Sequence, residues 1–356
     1  MKQLVRGYLR SACLGAFRLL GGLALWRFFN RDKVTILMLH GVAGEHPEAG
    51  WQPLWPRLTP ADLDRVLAQL APHYTFVALP DAVAMLRGER PPVRHALVLT
   101  FDDGYRNNLD EALPVLERHG ARPTLFVATG FTGERRPYWI DRLDYALQKA
   151  PDDARLLHAV GRDFDLRGLD RAGLARGYQS LRLAVKNAVP DDAGMLAIFD
   201  ELSAQLEAAA GTSIDAVLDR DPWAGIAGWD ELRGAAGVAD VGSHTVDHLR
   251  LDAIEPAEAE RQLRESKAAV ERELGTDCSL FCYPNGNYNA AVAALVHRVG
   301  YRGAVTTSSG LNAIGDDACT LRRYSFPNRA TAFANRLAIS GLREALRPSR
   351  HVDTTG

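Results

Sequence analysis

The sequence predicts an α/β fold, and two observations carry that reading. From residue 33 onward, short β-branched or apolar runs alternate with stretches of helical periodicity, as strands alternate with helices around a parallel sheet. Polar groups suited to catalysis then stand where four of those runs end: His40, the Asp102 and Asp103 pair, His244, and the Tyr283-Pro284-Asn285-Gly286 segment. Strand ends converge on one face in parallel α/β folds, so the repeated coincidence predicts one functional face.

Strands are expected at 34–39, 75–79, 96–101, 124–128, 239–242, 279–283 and 303–306, with helices at 60–70, 79–86, 108–119, 256–274 and 290–299. The 256–274 helix has Pro256 in its first turn and Gly275 just past its end, the usual start and stop chemistry. Between about 139 and 221 no strand is expected. Helices at 143–149, 171–189 and 192–210, with apolar residues three and four apart, make this block a helical insertion. It separates the fourth strand from the one leading to His244. Such a block either shapes a substrate cleft, since function collects on segments carried by a rigid scaffold, or packs as a cap. The chain thus divides into an N-terminal helix at 1–30, one domain at 31–346 containing the insertion, and a polar tail at 347–356 expected to be disordered.

With 356 residues, 47% of them hydrophobic and 24% charged, the chain has ample material for a buried core. A net charge of -2 and the lack of a basic stripe interleaved with aromatics argue against a nucleic-acid partner. The four cysteines, Cys13, Cys278, Cys282 and Cys319, form no Cys-x-x-Cys pair, and Cys278 and Cys282 read as buried thiols. Lys2, Arg6 and Arg10 share one helical face, and the apolar stretch 12–29 is interrupted by Arg18 and Arg27. Its unbroken part falls short of the ~20 apolar residues that a bilayer span needs, and no small-x-small cleavage site follows. Residues 1–30 read either as a basic, apolar helix in peripheral contact with an anionic membrane or as a helix packed on the domain.

The chemistry lies in Thr100-Phe101-Asp102-Asp103-Gly104 and, far downstream, Ser243-His244-Thr245-Val246-Asp247-His248. One Asp and two His make a three-ligand set for a divalent metal, leaving positions open for water and substrate. The second Asp is then free to act as general base on the water, which is hydrolase chemistry. The competing reading, an Asp-Asp-Gly turn capping the next helix, leaves the two histidines unexplained.

These two segments resemble the first two motifs of the polysaccharide deacetylases, the NodB-homology or carbohydrate esterase four family, over roughly residues 33–330. The resemblance implies a distorted (β/α) barrel, here with a helical insertion, and metal-dependent removal of an acyl group from an amino sugar. It implies Asp102 as the general base and Asp103, His244 and His248 as ligands of one divalent ion, zinc being the first choice. The family's Arg-x-Pro-Tyr motif is replaced by Cys282-Tyr283-Pro284-Asn285. The backbone N–H of Asn285 remains the candidate oxyanion donor. The motif arginine that would support the base is gone; Arg323 either takes its place by pairing with Asp102 or is a surface arginine. The family's late general-acid histidine also lacks a counterpart, since His297 lies mid-helix and His351 in the tail. His40 sits on the correct face, and an imidazole is the side-chain type suited to proton transfer near neutral pH. It is assigned as general acid, against the alternative of a core histidine bonded to a loop.

Removal of N-acetyl or other N-acyl groups from a polysaccharide or a lipid-linked, amino-sugar glycan is the first reading. O-acetyl ester hydrolysis and non-catalytic carbohydrate binding are the others. Trp51, Trp55, Trp139 and Trp223 are expected in loops, where they stack on sugar rings or pack against their own insertion. A nascent exopolysaccharide or lipid-linked sugar, met in the bacterial cytoplasm or at its inner membrane, suits this set of features.

Overall fold

The computed structural model describes residues 21–346, so the Lys2, Arg6 and Arg10 face and the tail at 347–356 lie outside the described residues. In chain order the strands are β1 Thr35–Leu39, β2 Thr75–Phe76, β3 Ala96–Phe101, β4 Thr124–Val127, β5 Leu156–Ala159, β6 Arg162–Asp165, β7 Asp240–Ser243, β8 Leu280–Cys282, β9 Gly303–Val305 and β10 Tyr324–Ser325. Eight of them form one sheet in the order β10-β1-β3-β4-β7-β8-β9, with β2 also on β3. Every pairing in it is parallel. The sheet curls into a half-barrel covered by helices.

The last strand was not legible in the sequence. It is two residues long and follows Leu321-Arg322-Arg323, so it shows no apolar run. Its position matters. Leu321 bridges to Val305 of β9, and Tyr324 pairs with Leu37 of β1. One short segment therefore stitches the two edges of the curled sheet, with Arg323 between the two contacts.

Period-two alternation then decides which side chains face inward. Ile36, Val98, Phe126, Leu280, Cys282 and Val305 share one core with Leu79, Val83 and Leu86 of the helix Leu79–Leu86. Leu37, Leu39, Leu97, Leu99, Leu125 and Val127 point the other way, onto Leu63, Leu67, Leu116 and Leu263 of the outer helices. Continuing the inward parity past the strand ends gives His40, Asp102 and His244. The helix Leu79–Leu86 packs with Val34 and Ala96, at the strand starts, so it closes the opposite end.

The expected helix at 108–119 is divided. Asn108–Ala112 is a wider π-turn, followed by the α-helix Leu113–Arg118. Pro114 has no N–H for the preceding turn, which favours the slipped register there.

The expectation of no strand between 139 and 221 is corrected by β5 and β6, an antiparallel hairpin. Leu157, Ala159 and Phe164 are buried while their neighbours are exposed. The polar outward residues His158, Arg162, Asp163 and Asp165 mask this short alternation. Together with the helices Trp139–Lys149, Arg171–Ala188 and Asp192–Ala210, the hairpin closes a core of its own around Leu143, Leu147, Tyr178, Leu181, Phe199 and Leu202. Its turn places Val160 at φ 49 and Gly161 at φ 70, a left-handed pair that suits Asn-Gly far better than Val-Gly. Val160→Asn is expected to stabilise the protein by about 1 kcal/mol, read as a higher urea midpoint. An unchanged midpoint would show the turn to be unstrained.

Candidate active site

Asp102 follows the last residue of β3 and Arg323 precedes β10, so the edge-stitching segment brings them together. Arg323 Nη1 donates to Asp102 Oδ1 at 2.7 Å and Nη2 to Oδ2 at 2.8 Å. The pair is bidentate, the strongest geometry for these groups. Arg323 is 1% exposed and Asp102 3%, which removes the surface-arginine reading. Nε of Arg323 donates to the Thr306 carbonyl, Nη1 also to Thr100 Oγ1, and Nη2 approaches Cys282 Sγ at 3.3 Å. Burial opposes ionisation of Asp102, yet the charge and hydrogen bonds of Arg323 outweigh it and hold the carboxyl below its ordinary value. Cys282, the residue where the resemblance implies an arginine, lies against the guanidinium of Arg323, which arrives from the segment just before β10.

Asp103 has turned away, at φ 75. Its Oδ1 lies 3.6 Å from His244 Nε2 and 3.4 Å from His248 Nε2. Donors held tetrahedrally at ~2.1 Å from a common ion stand ~3.4 Å apart, so this triad fits a divalent cation. The Nδ1 of His244 is 2.7 Å from the Cys282 carbonyl; donating there, it leaves Nε2 with its lone pair toward Asp103. Burial first, and then the neighbouring His248, lower the pKa of His244 to about 4, which keeps the imidazole neutral. A second cluster, Asp102, His244 and Cys282, also brings its donors close together. It fits an ion poorly, because Arg323 occupies Asp102 and burial pushes the Cys282 thiol well up. Left-handed backbone collects here, at Asp103, Thr245, His248 and Asn285, as strain often does at working sites.

Asn285 stands at φ 56 in the turn after β8, where the N–H groups of Gly286 and Asn287 bond to the carbonyls of Tyr283 and Pro284. Among the described hydrogen bonds none takes the Asn285 N–H. Gly286, at φ 76, is required: a Cβ there would collide with Thr307. His40 is exposed rather than part of the core. His40, Asp102, Asp103, His244, His248 and Asn285 all line one cavity of about 670 Å³. By contrast His297 is exposed and 3.0 Å from Asp317.

Four groups at this site were not foreseen. Tyr138 donates to the Asp103 carbonyl at 2.8 Å and sets its ring edge-on to His248. Arg57 and the Tyr105 hydroxyl both donate to Asp141, each at 2.6 Å. Nothing in the local sequence marks them, because each acts through a distant partner. Asp141 and Tyr138 tie the start of the insertion to the site, and Trp139, Asp144, Tyr178, Arg182 and Lys186 continue the cavity wall. The insertion therefore shapes the cleft and also carries its own core.

The loop expectation holds for Trp51, Trp55 and Trp223 and is corrected for Trp139, and of the two uses expected of these rings three of the four take packing. Trp51 and Trp223 are buried, and Trp139 opens a helix with its ring stacked on Phe199 at 4.1 Å. Their neighbours are apolar segments far away in the chain, which local sequence does not reveal. Trp55, 62% exposed and lining the cavity, is the one free to meet a sugar ring.

Asp144 yields a pH prediction. Burial raises its carboxyl from 3.8 to about 7, against hydrogen bonds from the Leu54 N–H and Gln148. The folded form thus binds the proton more tightly than the unfolded form, and stability falls as pH rises from about 4 to about 7. Asp144→Asn is expected to abolish that fall, so urea unfolding should show it gaining on the wild type between pH 5 and pH 8. Parallel curves would refute the assignment.

A curled parallel sheet with helices around it, carrying a carboxylate–imidazole cluster beyond its strand ends, is the (β/α) half-barrel of the deacetylase class. The polysaccharide deacetylase profile matches residues 89–181 and 221–304, which take in both the Asp-Asp-Gly and the Ser-His-Thr segments. The chain belongs to the polysaccharide deacetylase family. The Bacillus subtilis protein YxkH, which carries a polysaccharide deacetylase name, is 19% identical over 237 residues, 67% of this chain and 53% of its own length. This chain thus spans about half of that relative. Among solved structures, the Streptococcus pyogenes deacetylase PplD matches with a TM-score of 0.55 and 17% identity, over 87% of this chain and 99% of its own. IcaB from Ammonifex degensii gives 0.53 and 15%, covering 87% and 97%. A de-N-acetylase from Aggregatibacter actinomycetemcomitans gives 0.52 and 14%, covering 86% and 100%. At these identities the likeness is one of fold.

Proposed function

We propose that this protein is a hydrolase that removes N-acetyl or other N-acyl groups from an amino-sugar polysaccharide or lipid-linked glycan. The observation that carries the reading is the buried, bidentate Arg323–Asp102 pair beside the converging Asp103, His244 and His248 donors. Those three side chains would hold one divalent ion, and two imidazoles with a carboxylate suit zinc. Such an ion supplies Lewis acidity, acidifying water and polarising the acyl carbonyl.

The chain's own groups do the rest. Asp102 accepts the proton of the attacking water, and Arg323 keeps both of its oxygens oriented and ionised. The N–H of Asn285 donates to the carbonyl oxygen as negative charge builds on it. His40 delivers a proton to the nitrogen as the carbon–nitrogen bond breaks, releasing carboxylate and free amine. His40→Ala is expected to lower turnover ~10²–10⁴-fold with metal content unchanged. Undiminished turnover would remove His40 from this role.

O-acetyl ester hydrolysis is the second reading, favoured by the missing late histidine, because an alkoxide leaves more readily than an amine anion. Incubation with a glycan carrying both groups separates the two, since both reactions release acetate but only amide hydrolysis frees an amine. Loss of activity on chelation and its return with zinc support the ion site. Activity untouched by chelation would overturn it.

We place residues 31–346 as the enzymatic unit and residues 1–30 as a peripheral membrane contact at the cytoplasmic side of the inner membrane. Support comes from the helix Gly22–Phe29, which leaves Leu25, Phe28 and Phe29 exposed. Among the described residues no helix is long and apolar enough to cross a membrane. Fractionation with and without residues 1–30 tests this; a fully soluble full-length chain rejects it.

A further inference from the structure

Tyr178, Arg182 and Lys186 follow one another at four-residue spacing along the helix Arg171–Ala188 and line the same cavity as the Asp103, His244 and His248 cluster. Both cations lie over the Trp139 ring, 5.4 Å and 5.5 Å from its centroid. Among the described residues neither is paired with a carboxylate. Arg182 Nη1 donates to the neutral Gln179 side chain at 3.2 Å, and its Nε is buried without a partner. The acids nearby are engaged elsewhere. Asp192 is held by Arg250 at 2.7 Å, Asp141 by Arg57 at 2.6 Å, and Asp102 by Arg323, while Asp144 accepts from the Leu54 N–H and from Gln148. Burial and the like charges of Arg182 and Arg250 lower the pKa of Lys186, and the opposing pull of Asp192, itself bonded to Arg250, does not offset them. Arg182 is half-buried and Lys186 exposed at the cavity wall, and holding the two like charges side by side costs free energy that a bound anion recovers.

We propose that Arg182 and Lys186 form a subsite for an acidic group on the glycan, a carboxylate or a phosphate, whose acylated sugar lies at Asp102. This rests on the deacetylase reading and specifies its substrate as an acidic glycan. Arg182 offers a planar fork for two oxygens and Lys186 a point charge beside it. The helical insertion thereby selects by charge, while the half-barrel carries the reaction.

The test uses the full chain and three versions of one N-acetylated oligosaccharide: neutral, bearing a uronic acid, and bearing a sugar phosphate. Binding is measured by calorimetry and deacetylation by amine release, for the wild type and for the R182Q/K186Q variant. The wild type is expected to bind at least one acidic version about tenfold more tightly than the neutral one, with the advantage shrinking as salt rises. The variant should bring the acidic versions down to the neutral affinity, and the version that responds identifies the acid. Equal affinity for all three versions, or no binding of any, overturns the subsite. A charge preference that Arg182 and Lys186 account for, without deacetylation of any version, leaves the subsite standing and defeats the hydrolase reading instead.

Discussion

Asp102→Asn is expected to lower turnover ~10²–10⁴-fold while divalent-metal uptake is retained. The amide cannot take a proton from water, but the Asp103, His244 and His248 donors, 3.4 Å and 3.6 Å apart across Asp103 Oδ1, stay in place. The same change removes the counter-charge of a guanidinium that is 1% exposed. Stability should therefore fall by about 3–5 kcal/mol, the cost of leaving one member of a buried pair alone. Turnover must accordingly be measured per folded molecule, below the new unfolding midpoint. Near-normal turnover under those conditions would exclude Asp102 as the base.

Arg323→Leu should destabilise the protein by a similar ~3–5 kcal/mol, because it strands the Asp102 carboxylate in the barrel interior. Arg323→Lys restores a positive charge but not the fork that holds both Asp102 oxygens at 2.7 Å and 2.8 Å. It should recover part of the stability while kcat stays low and KM is unchanged, a split that a purely structural arginine would not produce. Removing both partners together should cost less than the sum of the single changes. Strict additivity of the two would show that they do not act as a pair.

The legible part of the site follows from strand parity. His40, Asp102 and His244 each stand just past a parallel strand, and a period of two puts them on the inner side with Ile36, Val98 and Cys282. The pairing of Arg323 is not legible in the sequence because it depends on a two-residue strand that no apolar run announces. The hairpin at Leu156–Asp165 is hidden for a related reason, since four of its eight strand positions are charged or imidazole side chains facing water. Arg57, Tyr138 and Asp141 carry no local signature at all.

By itself the sequence determined the α/β class, the positions of the long helices and the family, because apolar periodicity and motif spacing are properties of neighbouring residues. Tertiary structure alone decided what Arg323 touches, which tryptophan is free, and that Arg182 and Lys186 share a wall with the catalytic groups. Those facts are set by how the curled sheet is stitched at residues 321–325 and how the insertion packs over it. The bonds of Arg323 to Asp102 and Thr100 alone join segments 221 and 223 residues apart, and nothing in either segment encodes its partner.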